Sequence, residues 1–277
     1  MITKHNWLNT NIGERLLDKS VGLKLNIKPY KFKNISFDEA TDLTCFQINN
    51  MNKEIYVALS GGYDSEYVLR SFCKNNVCVT PIIVKCGRTE ETKYAYQTCN
   101  ELKLQPIVID INETDFLNFV DKNIVEKFDA VGYNSAYGMI AAEYVSKIPN
   151  SILISGEHFL GDGFDLITDE DFFISHDWDF YIDNFLEIPV NINFFMYNIE
   201  IVYSVVPTEE DKGMTWAMFK YKKFNLKIRD KMRYHYTSET QNKLNGLLRK
   251  RKHPNKKFAF RLTKSQFYDC FEKYKEI

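Results

Sequence analysis

The chain has 277 residues, of which 44% are hydrophobic, 15% aromatic and 26% charged, enough apolar material for one large core or two small ones. That composition excludes disorder, collagen and coiled coil as descriptions of the whole chain. Thirty-six Lys and Arg against thirty-seven Asp and Glu give a formal charge of -1, which argues against a dedicated polyanion binder, although an average can conceal charged blocks.

Met1 to Trp7 lack the basic flank and apolar core of a signal peptide, and no later run approaches the roughly 18 apolar residues of a membrane span, so a cytoplasmic location is expected. Cys45, Cys73, Cys78, Cys86, Cys99 and Cys270 form no CxxC pair, and His5, His158, His176, His235 and His253 show neither HxxxH nor HxH spacing. Neither structural zinc nor a histidine-held metal is expected from that pattern.

Residues 1–50 read as a polar extension with one lead-in helix, opened by the capping-box pattern of Ser36 and Glu39. From Ile55 the run Ile-Tyr-Val-Ala-Leu has the character of a strand buried on both faces, and it leads straight into Ser60-Gly61-Gly62-Tyr63-Asp64-Ser65. A helix with Tyr67, Val68, Phe72 and Cys73 at helical spacing follows, then a strand over Val79 to Val84, a helix from about Glu90 to Leu102, and a strand over Pro106 to Asp110. A helical region from Asp115 to about Lys147 leads to a fourth strand, Ser151 to Ser155, which ends at Gly156-Glu157. Strands and helices alternating in this way predict an α/β fold with an open parallel sheet flanked by helices. Ligands in such folds bind outside the carboxyl ends of the strands, where both glycine-bearing turns fall.

Beyond Glu157 the periodicity weakens and charge separates. Residues 157–187 carry ten acids and no Lys or Arg, whereas residues 212–261 carry sixteen Lys or Arg against only Asp230 and Glu239, a local net of +14. Between these blocks, Phe194 to Val206 reads as a buried aromatic helix. Opposite blocks attract, so the acidic segment is expected to dock on the basic one; a metal site or a simple charged loop are the alternatives.

The loop at Ser60 carries the most specific chemistry. Its glycines let the backbone approach a phosphate, Ser60 and Ser65 add hydroxyl donors, and the helix that follows offers free amides and a positive dipole end. An acidic residue inside an anion site repels phosphate unless a cation intervenes, so Asp64 reads as a ligand for Mg2+ held on pyrophosphate. No Lys follows the glycines, and the spacing is not GxGxxG, which excludes the Walker loop and the dinucleotide fingerprint.

The six residues match the SGGxDS signature of the PP-loop ATP pyrophosphatases, the adenine nucleotide alpha hydrolase-like superfamily, and the chain resembles that superfamily over about residues 36–160. Within it, the likeness is nearest to the synthetase domain of asparagine synthetase, because Ile154-Ser155-Gly156-Glu157 stands where that family has a Ser-Gly-Glu turn. The approach Phe128 to Ser135 is similar as well. The resemblance implies ATP and Mg2+ as cofactors, cleavage of ATP between the α and β phosphates, and adenylation of a carboxylate or carbonyl. An amine-type nucleophile then attacks, and AMP and pyrophosphate leave.

It further implies that Ser60, Gly61, Gly62, Asp64 and Ser65, with Ser155, Gly156 and Glu157, bind the nucleotide, while backbone near Val84 and Lys85 holds adenine. Asp64, Glu157 and Lys220 would be catalytic, and Lys222 and Lys223 stand in the same basic stretch. The family pattern supplies a second metal carboxylate as Gly-x-Asp-Glu; here the chain has His158-Phe159-Leu160-Gly161-Asp162, so Asp162 or Glu157 is the substitute expected for it. Position 2 is Ile2 rather than the family's nucleophilic cysteine, so ammonia would come from a separate amidotransferase or from solution. On these terms the chain divides into a 1–50 extension, a 51–160 ATP-binding domain and a 161–277 divergent, mainly helical acceptor-binding part with a basic carboxyl-terminal segment.

Two alternatives remain open at this point. Arg249-Lys250-Arg251-Lys252, with Lys256, Lys257 and nearby Phe258, Phe260 and Tyr268, would let a tRNA-modifying enzyme hold its substrate while a base carbonyl is activated. The missing in-register carboxylate is also compatible with a nucleotide-binding protein that has lost catalysis.

Overall fold

The structure, a computed structural model, describes residues 7–10, 25–27, 31–86, 91–126, 134–156, 172–175, 191–206, 208–211, 214, 216–226, 238–249, 259–262, 269 and 271–276. Three short strands precede the first long helix: β1 (Leu8–Thr10) pairs antiparallel with β2 (Leu25–Ile27), and β3 (Phe32–Lys33) follows. The helix α1 (Phe37–Asn49) begins at Ser36 because two side chains there satisfy free helix amides. The Glu39 N–H donates to Ser36 Oγ at 3.2 Å, and the Ser36 N–H donates to Glu39 Oε2 at 2.9 Å.

Next come β4 (Glu54–Ala58), α2 (Tyr63–Lys74), β5 (Thr80–Cys86), α3 (Glu91–Leu102) and β6 (Ile107–Ile111). α4 (Glu113–Phe119) runs on into a π-helical stretch, Val120–Glu126, and α5 (Asn134–Ser146) leads to β7 (Ser151–Ser155). After β8 (Phe172–Ser175) and β9 (Asn191–Asn193) come α6 (Ile199–Ser204), α7 (Trp216–Phe224), α8 (Ser238–Leu248), β10 (Ala259–Leu262) and β11 (Lys275–Glu276).

Five strands form one parallel sheet in the order β6-β5-β4-β7-β9, flanked by helices, which is the α/β architecture expected from the alternation of elements. The chain moves outward from β4 through β5 to β6, then crosses back so that β7 lies on the other side of β4. The direction of winding therefore reverses between β4 and β7, the place where open α/β sheets bind ligands outside the carboxyl ends of their strands. Strand residues alternate between the faces: Ile55, Val57, Ile152 and Ile154 join one buried cluster, and Tyr56 and Leu153 the other. The first cluster holds α1 and α2 through Ile48, Val68 and Phe72; the second holds α4, α5 and α8 through Phe116, Met139 and Leu244.

Two sequence expectations need correction. The fifth strand, β9, was not anticipated, because Asn191-Ile192-Asn193 has little strand character of its own; it pairs Ser155 with Asn193, and both asparagines are buried. The single aromatic helix expected over Phe194 to Val206 is a 3-10 turn, Phe194–Met196, followed by the separate helix α6. Asn198 makes the break: its side-chain carbonyl accepts the Ile201 N–H at 2.8 Å as a helix cap, while its side-chain amide donates to Thr44 Oγ1 and Gln47 Oε1, each at 3.0 Å.

The carboxyl-terminal residues return to the amino-terminal side, where β11 pairs parallel with β3. Trp7 is fully buried against Phe271 and donates its indole N–H to the Met196 carbonyl at 3.0 Å. β8, inside the acidic block, pairs antiparallel with β10 from the end of the basic block, from Phe172 opposite Leu262 to Ser175 opposite Ala259.

Candidate nucleotide site

The loop from Ser60 to Ser65 leaves the carboxyl end of β4 and starts α2, so it lies at the reversal point of the sheet. Its own hydroxyls fix its shape. The Ser60 N–H donates to Ser65 Oγ at 3.2 Å, the two serine hydroxyls lie 3.1 Å apart, the Gly62 N–H donates to Ser60 Oγ at 3.2 Å, and Ser65 Oγ donates to the Gly62 carbonyl at 3.1 Å. Gly61 has φ 88°, a left-handed conformation that a side chain would strain. Gly62 caps α2 with no side-chain bond, so the first-turn amides keep the anion-binding capacity of a helix start.

Gly156, just past β7, closes the other side. A Cβ there would stand 2.9 Å from both the carbonyl carbon and oxygen of Asp64 and 3.0 Å from Ser65 Cα, so the two turns touch through backbone and only glycine fits between them. Ser155 is buried at the base of this contact, its hydroxyl 3.4 Å from the Ile192 carbonyl.

Asp64 points its two oxygens to different surroundings. Oδ2 receives the Lys220 ammonium at 2.6 Å, across 156 residues of sequence, with side-chain exposures of only 12% for Lys220 and 25% for Asp64. Oδ1 is buried and has no hydrogen-bond partner among the described residues. An orphaned carboxylate oxygen is costly unless something charged or protic meets it, so this atom fits a divalent cation. Among the described residues no group of three His, Cys, Asp or Glu side chains could hold a metal. Asp64 alone would be compatible with Mg2+, an ion commonly held by one or two carboxylates together with substrate phosphates.

The three lysines of α7 part company. Lys220 goes to Asp64, Lys222 pairs with Asp211 at 3.0 Å, and the Lys223 ammonium lies over the Phe37 and Phe219 rings at 5.4 and 6.0 Å. Positions one and two apart on a helix point in different directions, so Lys222 shares a face with neither Lys220 nor Lys223, and Lys223, although one turn from Lys220, lies over Phe37 instead. Burial pushes Lys223 below the ordinary lysine value although Asp211 pulls it up. Burial also raises Asp211, but the Thr208 N–H and the Lys222 ammonium more than offset this and hold its carboxyl below the usual range.

Helix α7 is anchored on α2 by aromatic rings. Phe224 stacks on Tyr67 with centroids 4.4 Å apart, and Tyr221 meets Tyr63 edge-on at 4.6 Å with their hydroxyls hydrogen-bonded. Tyr63 and Tyr221 were not singled out from sequence; the available signal was that one is the variable position of the glycine loop and the other the neighbour of Lys220.

The other expected site residues are placed as follows. Val84 and Lys85 lie near the end of β5, beside β4; Val84 packs with the second core cluster and the Lys85 ammonium is 3.2 Å from Asp110. Arg249 is exposed directly after α8. Glu157, Asp162, Lys250, Arg251 and Lys252 lie outside the described residues, as do most of the acidic block and Cys270. Among the described residues no helix is long and apolar enough to cross a membrane.

No protein-family model matches the chain, and no curated protein matches it. Solved structures similar to it include an NH3-dependent NAD synthetase from Campylobacter jejuni, at 16% identity and TM-score 0.34, covering 45% of this chain and 58% of that one. Another is a predicted subunit of tRNA methyltransferase from Methanocaldococcus jannaschii, at 16% identity and TM-score 0.40, covering 77% and 94%. A third is NMN synthetase from Francisella tularensis, at 14% identity and TM-score 0.38, covering 80% and 97%. The chain thus spans little more than half the length of the Campylobacter enzyme.

Proposed function

We propose that this protein is an AMP-forming ATP pyrophosphatase with the chemistry of an amide ligase. An acceptor oxygen, from a carboxylate or carbonyl, attacks the α phosphorus of ATP; the bond to the bridging oxygen breaks and pyrophosphate leaves. An amine-type nucleophile then attacks the activated carbon, AMP departs, and the nitrogen gives up a proton.

The observation that carries this reading is the paired environment of Asp64: one oxygen held by Lys220, the other buried with no hydrogen-bond partner among the described residues, beside two glycine turns in contact at the sheet reversal. In this account Ser60, Gly61, Gly62 and Ser65 cradle the phosphates with backbone amides and hydroxyls, and Gly156 lets the second turn close on them. Lys220 stands ready to neutralise charge on the departing pyrophosphate, and Asp64, aided by Glu157 or Asp162, would hold Mg2+. When bound, Mg2+ would neutralise phosphate charge and help to align the leaving group. The acceptor pocket is assigned to the part of the chain that follows β7.

The test is exchange of radiolabelled pyrophosphate into ATP, screened over candidate acceptors with Mg2+ present. Exchange in the wild type that disappears in Asp64→Asn supports the reading; Asp64→Asn exchanging at the wild-type rate overturns it.

A second reading, activation of a base carbonyl in tRNA, draws on Arg249, which opens the basic run 249–252 at an exposed position. It requires tRNA affinity that falls steeply with salt and is lost when residues 249–252 are neutralised. Absence of tRNA binding at low salt excludes it. Catalytic loss, the remaining alternative, corresponds to MgATP binding without pyrophosphate exchange for any acceptor.

A further inference from the structure

We infer that Tyr221 and Tyr63 form a latch that positions Lys220 on Asp64, so that the α7 cation is set in place before nucleotide arrives. This inference rests on the nucleotide-site reading above but concerns residues that neither the loop signature nor the resemblance assigns.

The two ends of the latch are fixed independently. Tyr63 is the first residue of α2 and stands between the loop glycines and Asp64, so its backbone is held by the hydroxyl network of Ser60 and Ser65. Tyr221 follows Lys220 on α7, whose far end is clamped by Phe224 against Tyr67, Phe37 and Phe195, with centroid distances of 4.4, 5.9 and 5.4 Å. That stack, the buried Phe219 and the Lys222–Asp211 pair hold the body of α7. The hydroxyl contact between Tyr221 and Tyr63 ties α7 to the glycine loop right beside residue 220, and so sets the direction in which Lys220 projects.

The need for such a fixture follows from the lysine itself. A lysine side chain has four rotatable bonds, and ordering it opposes a pair that is still partly reached by water. Residue 220 nevertheless lies 2.6 Å from Asp64 and is only 12% exposed, whereas Lys222, on the same helix, is 50% exposed. Tyr221 therefore acts as a positioning residue: it holds the helix from which Lys220 reaches Asp64.

Competitive acetylation of the full-length protein, read by mass spectrometry for each lysine, tests the latch without any ligand. Tyr221→Phe and Tyr63→Phe each remove the hydroxyl bond from one side, so failure of one variant to fold leaves the other to report. We expect Lys220 to be labelled about 3- to 10-fold faster in either variant, the range for one lost hydroxyl bond, with Lys222 and Lys223 unchanged. Unchanged Lys220 labelling in both, or Lys220 and Lys223 rising together, overturns the latch, the second result marking general loosening.

The functional arm measures MgATP affinity by calorimetry. Tyr221→Phe should weaken binding about 3- to 10-fold when Lys220 is present and have no effect in a Lys220→Met background, since the hydroxyl acts through that lysine. Equal weakening in both backgrounds contradicts the positioning role. A wild type that does not bind MgATP refutes the proposed function, and the labelling result then decides the latch alone.

Discussion

Replacing Gly156 by Ala isolates the contact between the two turns. The added Cβ would stand 2.9 Å from the Asp64 carbonyl carbon and oxygen and 3.0 Å from Ser65 Cα. Ordinary carbon contacts lie at about 3.5–4.0 Å, so a shortfall of roughly 0.5–1 Å must be made up by moving backbone, since no rotamer change can relieve it. Overpacking of this kind costs about 1–3 kcal/mol. If the glycine loop yields, the strain appears as a loss of MgATP affinity of about 5- to 150-fold, at about tenfold per 1.4 kcal/mol. If the whole molecule yields, it appears as a fall in Tm of about 2–4 °C per kcal/mol. Calorimetric titration with MgATP and a thermal melt on the same preparation distinguish the two. A variant with unchanged affinity and unchanged Tm would refute the proposed closeness of the turns.

Gly246→Ala is the matched control: nothing lies within 4 Å of a Cβ there, in the body of α8, so a thermal melt should show a gain of about 1 kcal/mol or less. The carboxyl of Asp211 is held below its ordinary range, so its contribution is present above the unfolded carboxylate pKa and is lost as pH falls through the lower folded value. The Tm gap between wild type and Asp211→Asn should therefore be full near pH 6 and shrink below about pH 4; a pH-independent gap contradicts this. Burial raises the thiols of Cys86 and Cys99 to about 11, and raises Cys45 further still, while Cys78 is exposed. Iodoacetamide at neutral pH should thus modify Cys78 well before Cys45, Cys86 and Cys99; early modification of any of these three in folded protein would count against their burial.

Much of the sheet could be read locally. Ser36 and Glu39 specify a helix start within four residues, and the apolar runs of β4 and β7 suffice to mark strands buried on both faces. What escaped reading depends on distant partners. Asn191 and Asn193 become strand residues only by pairing with Leu153 and Ser155, and Asn198 interrupts a helical pattern by bonding to Thr44 and Gln47, over 150 residues away. In the candidate site the glycine loop and Gly156 were visible as turns, but their contact depends on the sheet order. Lys220, Lys222 and Lys223 looked alike as a basic stretch, and only the direction of α7 separates the one at Asp64 from the one at Asp211 and the one over Phe37.

The central claim is that the Asp64 site directs cleavage of ATP between its α and β phosphates. ATP labelled on the α phosphate, incubated with Mg2+ and an acceptor that supports pyrophosphate exchange, should yield AMP as the labelled product or pass the label to an adenylated acceptor, and Asp64→Asn should abolish both. ADP as the sole labelled product would contradict the account.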